Sequence, residues 1–310
     1  MRRTIQVILT TLALGLPLRI AAAQEPAAQP SGGEINIMEH LGNSHVLEVP
    51  YYKAPYHYDI ELPRWQPVRV GPVALDFSPT KHLIFLLLAA LIVSLVFLYV
   101  SRAVQRAHAA GRHPTGFAGA MEAIVLWVRQ EVILPNVGHH GEGYVPYLLS
   151  VFFFILACNL LGLVPWGSTP TGNIAVTGGM ALISFIVIEI SGMRTLGTRG
   201  YLGTIFFVPH GVPALMKPIL LVILTPIELV SKLAKPFALA VRLFANMTAG
   251  HVVLLALIGF TFMFQSYLVG GVASVGATLI MVLELFVAFL HAFIFTLLTA
   301  VFIGLIRAEH

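Results

Sequence analysis

From residue 82 onward the chain alternates long apolar runs with short stretches of polar, Pro and Gly residues. Residues 82–100 contain no Asp, Glu, Lys or Arg, and Arg102, Arg106 and Arg112 follow them. A helix needs about 20 apolar residues to cross the hydrocarbon core, so this run predicts a span. Residues 117–134 differ: Met121, Ile124, Val125, Trp127 and Val128 lie beside Glu122, Arg129 and Glu131. That pattern predicts an amphipathic helix on the membrane surface. Residues 143–188 again carry no acid or base, with one break at 165–172, Pro-Trp-Gly-Ser-Thr-Pro-Thr-Gly. Such turn formers predict a hairpin of two spans, 145–166 and 173–193. Two longer runs, 228–265 and 272–305, close the chain. The intervening 203–226 holds Pro209, Pro213, Pro218 and Pro226 and reads as a partial or re-entrant element, because each Pro removes a donor and disfavours helix before it.

The expected fold is an all-α polytopic membrane protein with about five transmembrane helices plus an amphipathic or re-entrant element. The last two runs exceed the length of a span, so they are expected to be strongly tilted or kinked. Composition agrees: 57% of residues are hydrophobic and 10% charged, where a soluble domain has about 25% charged. The net charge of +4 is modest, and the basic residues gather at the ends of apolar runs. This fits cytoplasmic loops rather than a nucleic-acid surface. Cys158 is the single cysteine, so the chain has no internal disulfide and no thiol-rich metal site. No internal repeat of the kind found in many secondary transporters stands out.

The first residues read as a bacterial export signal. Arg2 and Arg3 precede the apolar run 5–16, and Ala21-Ala22-Ala23 forms an A-x-A type cleavage site. The expected organisation is a signal peptide at 1–23, an exported arm at 24–81 and a membrane domain at 82–310. The other reading of the start is an uncleaved anchor, which the short apolar run disfavours. The arm is polar and mixed in charge, with Glu34, Glu39, Glu48, Lys53, Asp59 and Glu61 and no recognisable catalytic motif. The positive-inside bias of the 102–112 loop, Arg194, Arg199 and Arg307 places these segments and the C-terminus in the cytoplasm.

The polar residues inside the last two runs carry the candidate chemistry. Arg242 stays protonated at any physiological pH, and a charge at bilayer depth costs about 2.5–3.5 kcal/mol on insertion scales. It therefore faces protein or water, either as a structural residue bonded to carbonyls or as a working charge. At about 100° per residue, Lys235, Ser231, Glu228 and Asn246 fall within about 40° of Arg242, on one narrow stripe. Ala238, Ala245 and Ala249 lie beside it and leave room for a close partner. His251 is on the opposite face. Glu284 and His291, seven residues apart, share a face of the last helix. A hairpin turning at Gly270-Gly271 would let His251 approach Glu284 as a titratable pair of the proton-relay kind. Arg242 cannot relay protons but can deprotonate a passing carboxylate, so the pattern suits two half-channels separated by a fixed charge. Simpler readings exist for some members: Lys232 and Lys235 as snorkelling side chains, Glu228 with Ser231 as helix-start chemistry, His291 as a packed ring.

At residues 228–251 and 284–309 the chain resembles subunit a of the rotary F-type ATP synthase. The likeness rests on Ser-Lys-Leu-Ala-Lys-Pro, then Arg242-Leu-Phe-Ala-Asn246-Met-Thr-Ala-Gly-His251, and later Ala-Phe-Ile-Phe-Thr-Leu-Leu-Thr-Ala-Val-Phe. Weaker similarity covers Asn159-Leu-Leu-Gly-Leu-Val-Pro165 and the stretch after Asn173. The resemblance implies that Arg242 faces the carboxylates of a rotating ring of c subunits. It implies a cytoplasmic-side path at Asn246, Ser231 and Glu228, and an opposite path at Asn159, His251 and Glu284. His291 stands where that family commonly has Gln. Some relatives exchange the acid and imidazole at the positions of His251 and Glu284. Implied partners are the c-ring, the subunit b peripheral stalk, the rest of the F1Fo complex and the lipid bilayer, in the bacterial inner membrane. No cofactor is implied, and no Gly-x-x-x-x-Gly-Lys-[Ser/Thr] nucleotide loop is present.

Two other readings meet part of the pattern. A proton-coupled secondary transporter would also bury titratable residues, but would be expected to show inverted repeats. A metal-dependent intramembrane enzyme using His251, Glu284 and His291 lacks the His-Glu-x-x-His spacing and sets a fixed positive charge nearby.

Overall fold

The computed structural model describes residues 42, 44–50, 57–70, 73–76, 78–138, 141–164, 167–206, 213, 215–264 and 266–308. The expected signal peptide, 1–23, lies outside them. Five helices are long and apolar enough to cross a membrane, which makes the chain an all-α multi-pass membrane protein.

Two small antiparallel hairpins precede the helices, an addition to the sequence reading. β1 (Val46–Pro50) pairs with β2 (His57–Glu61), and β3 (Val68–Val70) with β4 (Val73–Leu75). The arm is tied to the start of the first helix. Lys81 N donates to Ser44 O at 3.0 Å, and His45 Nδ1 lies 2.9 Å from Pro79 O.

Helix α1 (Lys81–Ala109) buries Leu86, Ala89, Val93 and Val100 on one face and exposes Leu87, Leu91, Leu95 and Tyr99 on another. A helix that is apolar all round suits protein on one side and lipid on the other. The segment expected to be an amphipathic helix is helical, as α2 (Gly116–Trp127), a π-helical turn (Val128–Ile133) and α3 (Leu134–Val137). Its Trp127 stacks on Phe289 and Phe293, with centroids 6.3 and 6.0 Å away.

The core forms around α4 (Val145–Gly162), whose Leu148, Phe152, Ile155, Cys158 and Asn159 are fully enclosed. Phe152 meets Phe153 and Phe289 edge to face. Ala288, Ala292 and Ala300 are also enclosed, so the last helix approaches α4 closely. A 3₁₀ turn at Pro170–Gly172 closes the hairpin into α5 (Ile174–Ile205), where the Asn173 side chain caps Ala175 N at 2.9 Å.

Helix α5 runs past the expected end at residue 193, with a break at Gly197, whose φ of 68° favours glycine. Helix α6 (Lys217–Phe264) also differs from expectation. Residues 217–226 are its first turns rather than a separate element, and Pro226 and Pro236 lie within it. A proline frees only one carbonyl, and neighbouring helices can satisfy it in a membrane protein. The last helix, α7 (Tyr267–Ala308), begins before Gly270 and Gly271, so the expected turn there is helical. Helix α7 is already under way at Tyr267, about one turn earlier. At about 1.5 Å per residue, α6 extends about 72 Å and α7 about 63 Å, twice the hydrocarbon thickness, so tilt or projection follows. In its most apolar window α6 is 11% buried, against 56% for the span ending at Gly162, so α6 lies at the edge of the bundle.

Candidate functional site

Helix α6 packs on α7 and α5 through a buried seam of Leu239, Ala240, Leu243 and Met247. The opposite face carries Ala238, Arg242, Ala245, Asn246 and Ala249, all exposed. Of the expected stripe, Arg242 and Asn246 lie on this exposed face. Arg242 has no hydrogen-bond or salt-bridge partner among the described residues, so its charge points outward from the chain. Lys235 is exposed two turns away, while Ser231 and Glu228 are half-buried towards the start of the helix.

His251 sits beyond Arg242 on the inward side. Its Nδ1 lies 3.9 Å from Glu284 Oε1, and its Nε2 lies 2.8 Å from Gly162 O and 3.1 Å from Thr169 Oγ1. A carbonyl only accepts, so Nε2 carries the proton in that contact. Attraction between Nδ1 and the carboxyl then needs one more proton, on the ring or on Glu284. At 3.9 Å the two groups face each other without a direct hydrogen bond. Glu284 is 6% exposed, and neither of its oxygens has a hydrogen-bond partner among the described residues. Space for it comes from Gly250, where a β-carbon would collide with its carboxylate.

Asn159 lies beside this pair without touching it. Its Nδ2 donates to Ala288 O at 3.1 Å, and its Oδ1 accepts from Thr171 Oγ1 at 2.7 Å. It thus joins α4, the 3₁₀ turn and α7, one turn from Glu284. His291 is buried two turns along α7, within electrostatic reach of Arg242, and its Nε2 has no partner among the described residues. Thr169 and Thr171 were not among the expected site residues. The turn composition that predicted the hairpin gave them no chemical role.

A second polar cluster lies on the other side of Arg242, around Glu228. Lys232 Nζ is 3.7 Å from Glu189 Oε2 and donates to Thr204 Oγ1 at 3.1 Å. Lys232 also lies over the Tyr201 ring, 4.6 Å from its centroid, and the Tyr201 hydroxyl donates to Glu189. Lys232 is thus buried against α5 rather than a free snorkelling side chain. Glu189 is an acid inside a predicted span, the same signal that singled out Glu284, and the sequence reading passed over it. Among the described residues, no group of His, Cys, Asp and Glu is placed to hold a metal.

The two clusters lie at opposite ends of the bundle. Arg307, near the end of α7, donates from Nη1 to Val137 O at 3.3 Å and faces the Tyr144 ring. This sets the C-terminal end of α7 beside the loop before α4, whereas His251 contacts the far end of α4 at Gly162.

The chain was compared with known proteins once this geometry was in hand. The family profile described as ATP synthase A chain matches residues 83–304. The chain belongs to that family. Curated relatives named ATP synthase subunit a 2 in Chlorobium luteolum and subunit a in Pelodictyon phaeoclathratiforme are each 42% identical to it. Both alignments cover 93% of this chain, and 81% and 80% of the relatives. A subunit a from Myxococcus xanthus is 39% identical, covering 84% of this chain and 88% of the relative. The match takes in every helix that carries a site residue.

Proposed function

We propose that this chain is the proton-translocating stator of the Fo sector of a bacterial ATP synthase, with two half-channels that meet at Arg242. The observation that carries this reading is the outward position of Arg242 on a face lined by Ala238, Ala245 and Ala249. A fixed charge at a face suited to close helix contact fits a partner that brings a carboxylate past it. That partner is the c-ring, whose carboxylates bind and release the carried protons.

In the synthesis direction a proton enters from the periplasm. His251 and Glu284 hold it in turn, Asn159 keeps α4 and α7 in register beside them, and the proton passes to a ring carboxylate. When a protonated carboxyl turns to Arg242, the guanidinium favours its ionised form. The released proton leaves past Asn246, Ser231 and Glu228 to the cytoplasm. Arg242 also repels protons that would cross directly between the paths. Each charge crossing 100 mV releases about 2.3 kcal/mol. His291 lies between the pair and Arg242 along α7 and helps to set the field there. This chain supplies no nucleotide chemistry; phosphorylation belongs to the rest of the F1Fo complex. Subunit b of the peripheral stalk holds the chain against rotation. Residues 1–23 act as the signal peptide, the arm at 24–81 is periplasmic, and the C-terminus is cytoplasmic in the inner membrane.

The test is ATP-driven acidification of inverted vesicles, comparing wild type with Arg242→Ala at matched assembly. Pumping is expected to vanish while the complex stays assembled. Full coupled pumping by the variant would overturn the reading.

A further inference from the structure

The Glu189 cluster is not explained by an ordinary helix-to-helix ion pair. Tyr201 lies twelve residues after Glu189, about 18 Å along a straight helix, far beyond the reach of its side chain. It contacts Glu189 because α5 breaks at Gly197 and the following residues fold back. The same fold-back brings Thr204 to Lys232. The chain thus adopts a left-handed backbone that suits only glycine well, and the result surrounds one carboxylate with donors.

Lys232 and Thr204 border a cavity of about 80 Å³, enough for more than one water molecule. Glu189, Glu228, Lys232, Lys235, Ser184 and Thr204 supply its polar lining. The last helix contributes Phe302, Leu305 and Ile306, none of them titratable. Two carboxylates and two ammonium groups therefore line one partly open cavity. Ser184 extends it into the core, with Tyr147 OH 2.8 Å from its Oγ. On α6 the lining reaches Leu239, about 4.5 Å of helix rise from Arg242.

We propose that Glu189 is a proton-carrying residue of the path that contains Glu228, held for that task by Lys232 and Tyr201. It rests on Arg242 being the stator charge. The step is a proton transfer between two carboxyls across the cavity. The O–H bond at Glu228 breaks as one forms at Glu189, directly or through water, and the reverse transfer serves hydrolysis. Lys232 and the Tyr201 hydroxyl stabilise the Glu189 anion once it has released its proton. The two lysines balance the two carboxylates, so an arriving proton makes the cavity net positive and is readily passed on.

The test uses inverted vesicles carrying the whole complex, at matched assembly. Glu189→Gln is expected to lower ATP-driven acidification about tenfold, with Glu189→Asp retaining most of it. The dependence of rate on the pH of the Lys232 side should change shape in Glu189→Gln, which a purely structural loss would not produce. For the case in which Glu189→Gln does not assemble, Glu189→Cys in a Cys158→Ala background is treated with a charged, water-soluble thiol reagent. Labelling from the Lys232 side alone supports the proposal. Normal pumping by Glu189→Gln with an unchanged pH profile overturns it, as does a cysteine that the reagent cannot reach. If Arg242→Ala pumps at the full rate, the stator reading itself fails. If Arg242→Ala is inactive and Glu189→Gln is normal, only the role of Glu189 fails.

Discussion

The Glu284 carboxylate rests against Gly250, one residue before the histidine it pairs with. A methyl group at Gly250 would push the acid out of that position, whereas Gly259 on the same helix has open space around it. Gly250→Ala should therefore cost about 1–3 kcal/mol of local strain and lower proton pumping several-fold, while Gly259→Ala leaves it near wild type. Acidification rates of vesicles matched for assembly check this, and equal effects would remove the steric account of the pair.

The juxtaposition of His251 and Glu284 makes a second expectation. Glu284→Gln removes the acid and should reduce pumping at least tenfold, about 1.4 kcal/mol or more in barrier. The exchange His251→Glu with Glu284→His restores one acid and one imidazole to the same site. It should pump faster than either single change. A double variant no better than the singles would show that orientation against Gly162 O, rather than pairing, controls transfer.

Asn159 tests the structural part of the site. Both ends of its amide are bonded inside the core, so Asn159→Ala leaves the Thr171 hydroxyl and the Ala288 carbonyl without it. A loss of about 1–2 kcal/mol is expected, within the range for a buried polar group left unpaired. Thermal unfolding of the detergent-solubilised complex should show a lower midpoint, with Asn159→Asp no less affected, because an ionised carboxylate cannot donate to Ala288 O.

The exposed small-residue face gives a prediction that separates folding from assembly. Ala245→Trp adds bulk at an exposed position of α6, so the chain's own stability should change by less than about 0.5 kcal/mol. Close approach of a partner helix would be blocked. Recovery of the c-ring with the tagged chain should fall, while the amount of chain in the membrane is unchanged. Full ring recovery would place the partner surface elsewhere.

Gly197 is the place to test the fold-back of α5. Alanine at φ 68° is strained by about 1–2 kcal/mol. Gly197→Ala should therefore straighten or loosen the segment and separate Tyr201 from Glu189. Faster proteolysis within 198–206 in folded vesicles would report it.

Much of the fold was legible because lipid imposes a simple rule: apolar runs near span length become helices. That rule found α1 and α4, and helical periodicity marked the amphipathic segment after α1 and the polar stripe of α6. It misjudged 217–226, because four prolines in sequence weigh towards a break while a packed helix tolerates single ones. The turn at Gly270-Gly271 was misplaced for a related reason, since glycine permits a turn without requiring one. Arg242, His251 and Glu284 stood out as rare charges or titratable groups in apolar surroundings. Thr169, Thr171 and Tyr201 did not, because their roles come from a turn and a kink that bring distant positions together. Glu189 was visible by the same criterion as Glu284, but its partners were not.

Helix α6 is held on either side of Arg242, by Lys232 against Glu189 and Thr204, and by His251 against Gly162 and Thr169. Those holding points are ten and nine residues from the arginine, about 15 and 13.5 Å along the axis. Mechanically the stretch 232–251 is a beam fastened at its two ends and backed between them by the buried seam of Leu239, Leu243 and Met247. A sideways push at Arg242 is resisted by that seam and shared by the two fastenings. Weakening either one would lengthen the part of the helix that only the seam supports, so damage at one polar cluster would also let the arginine yield more under load.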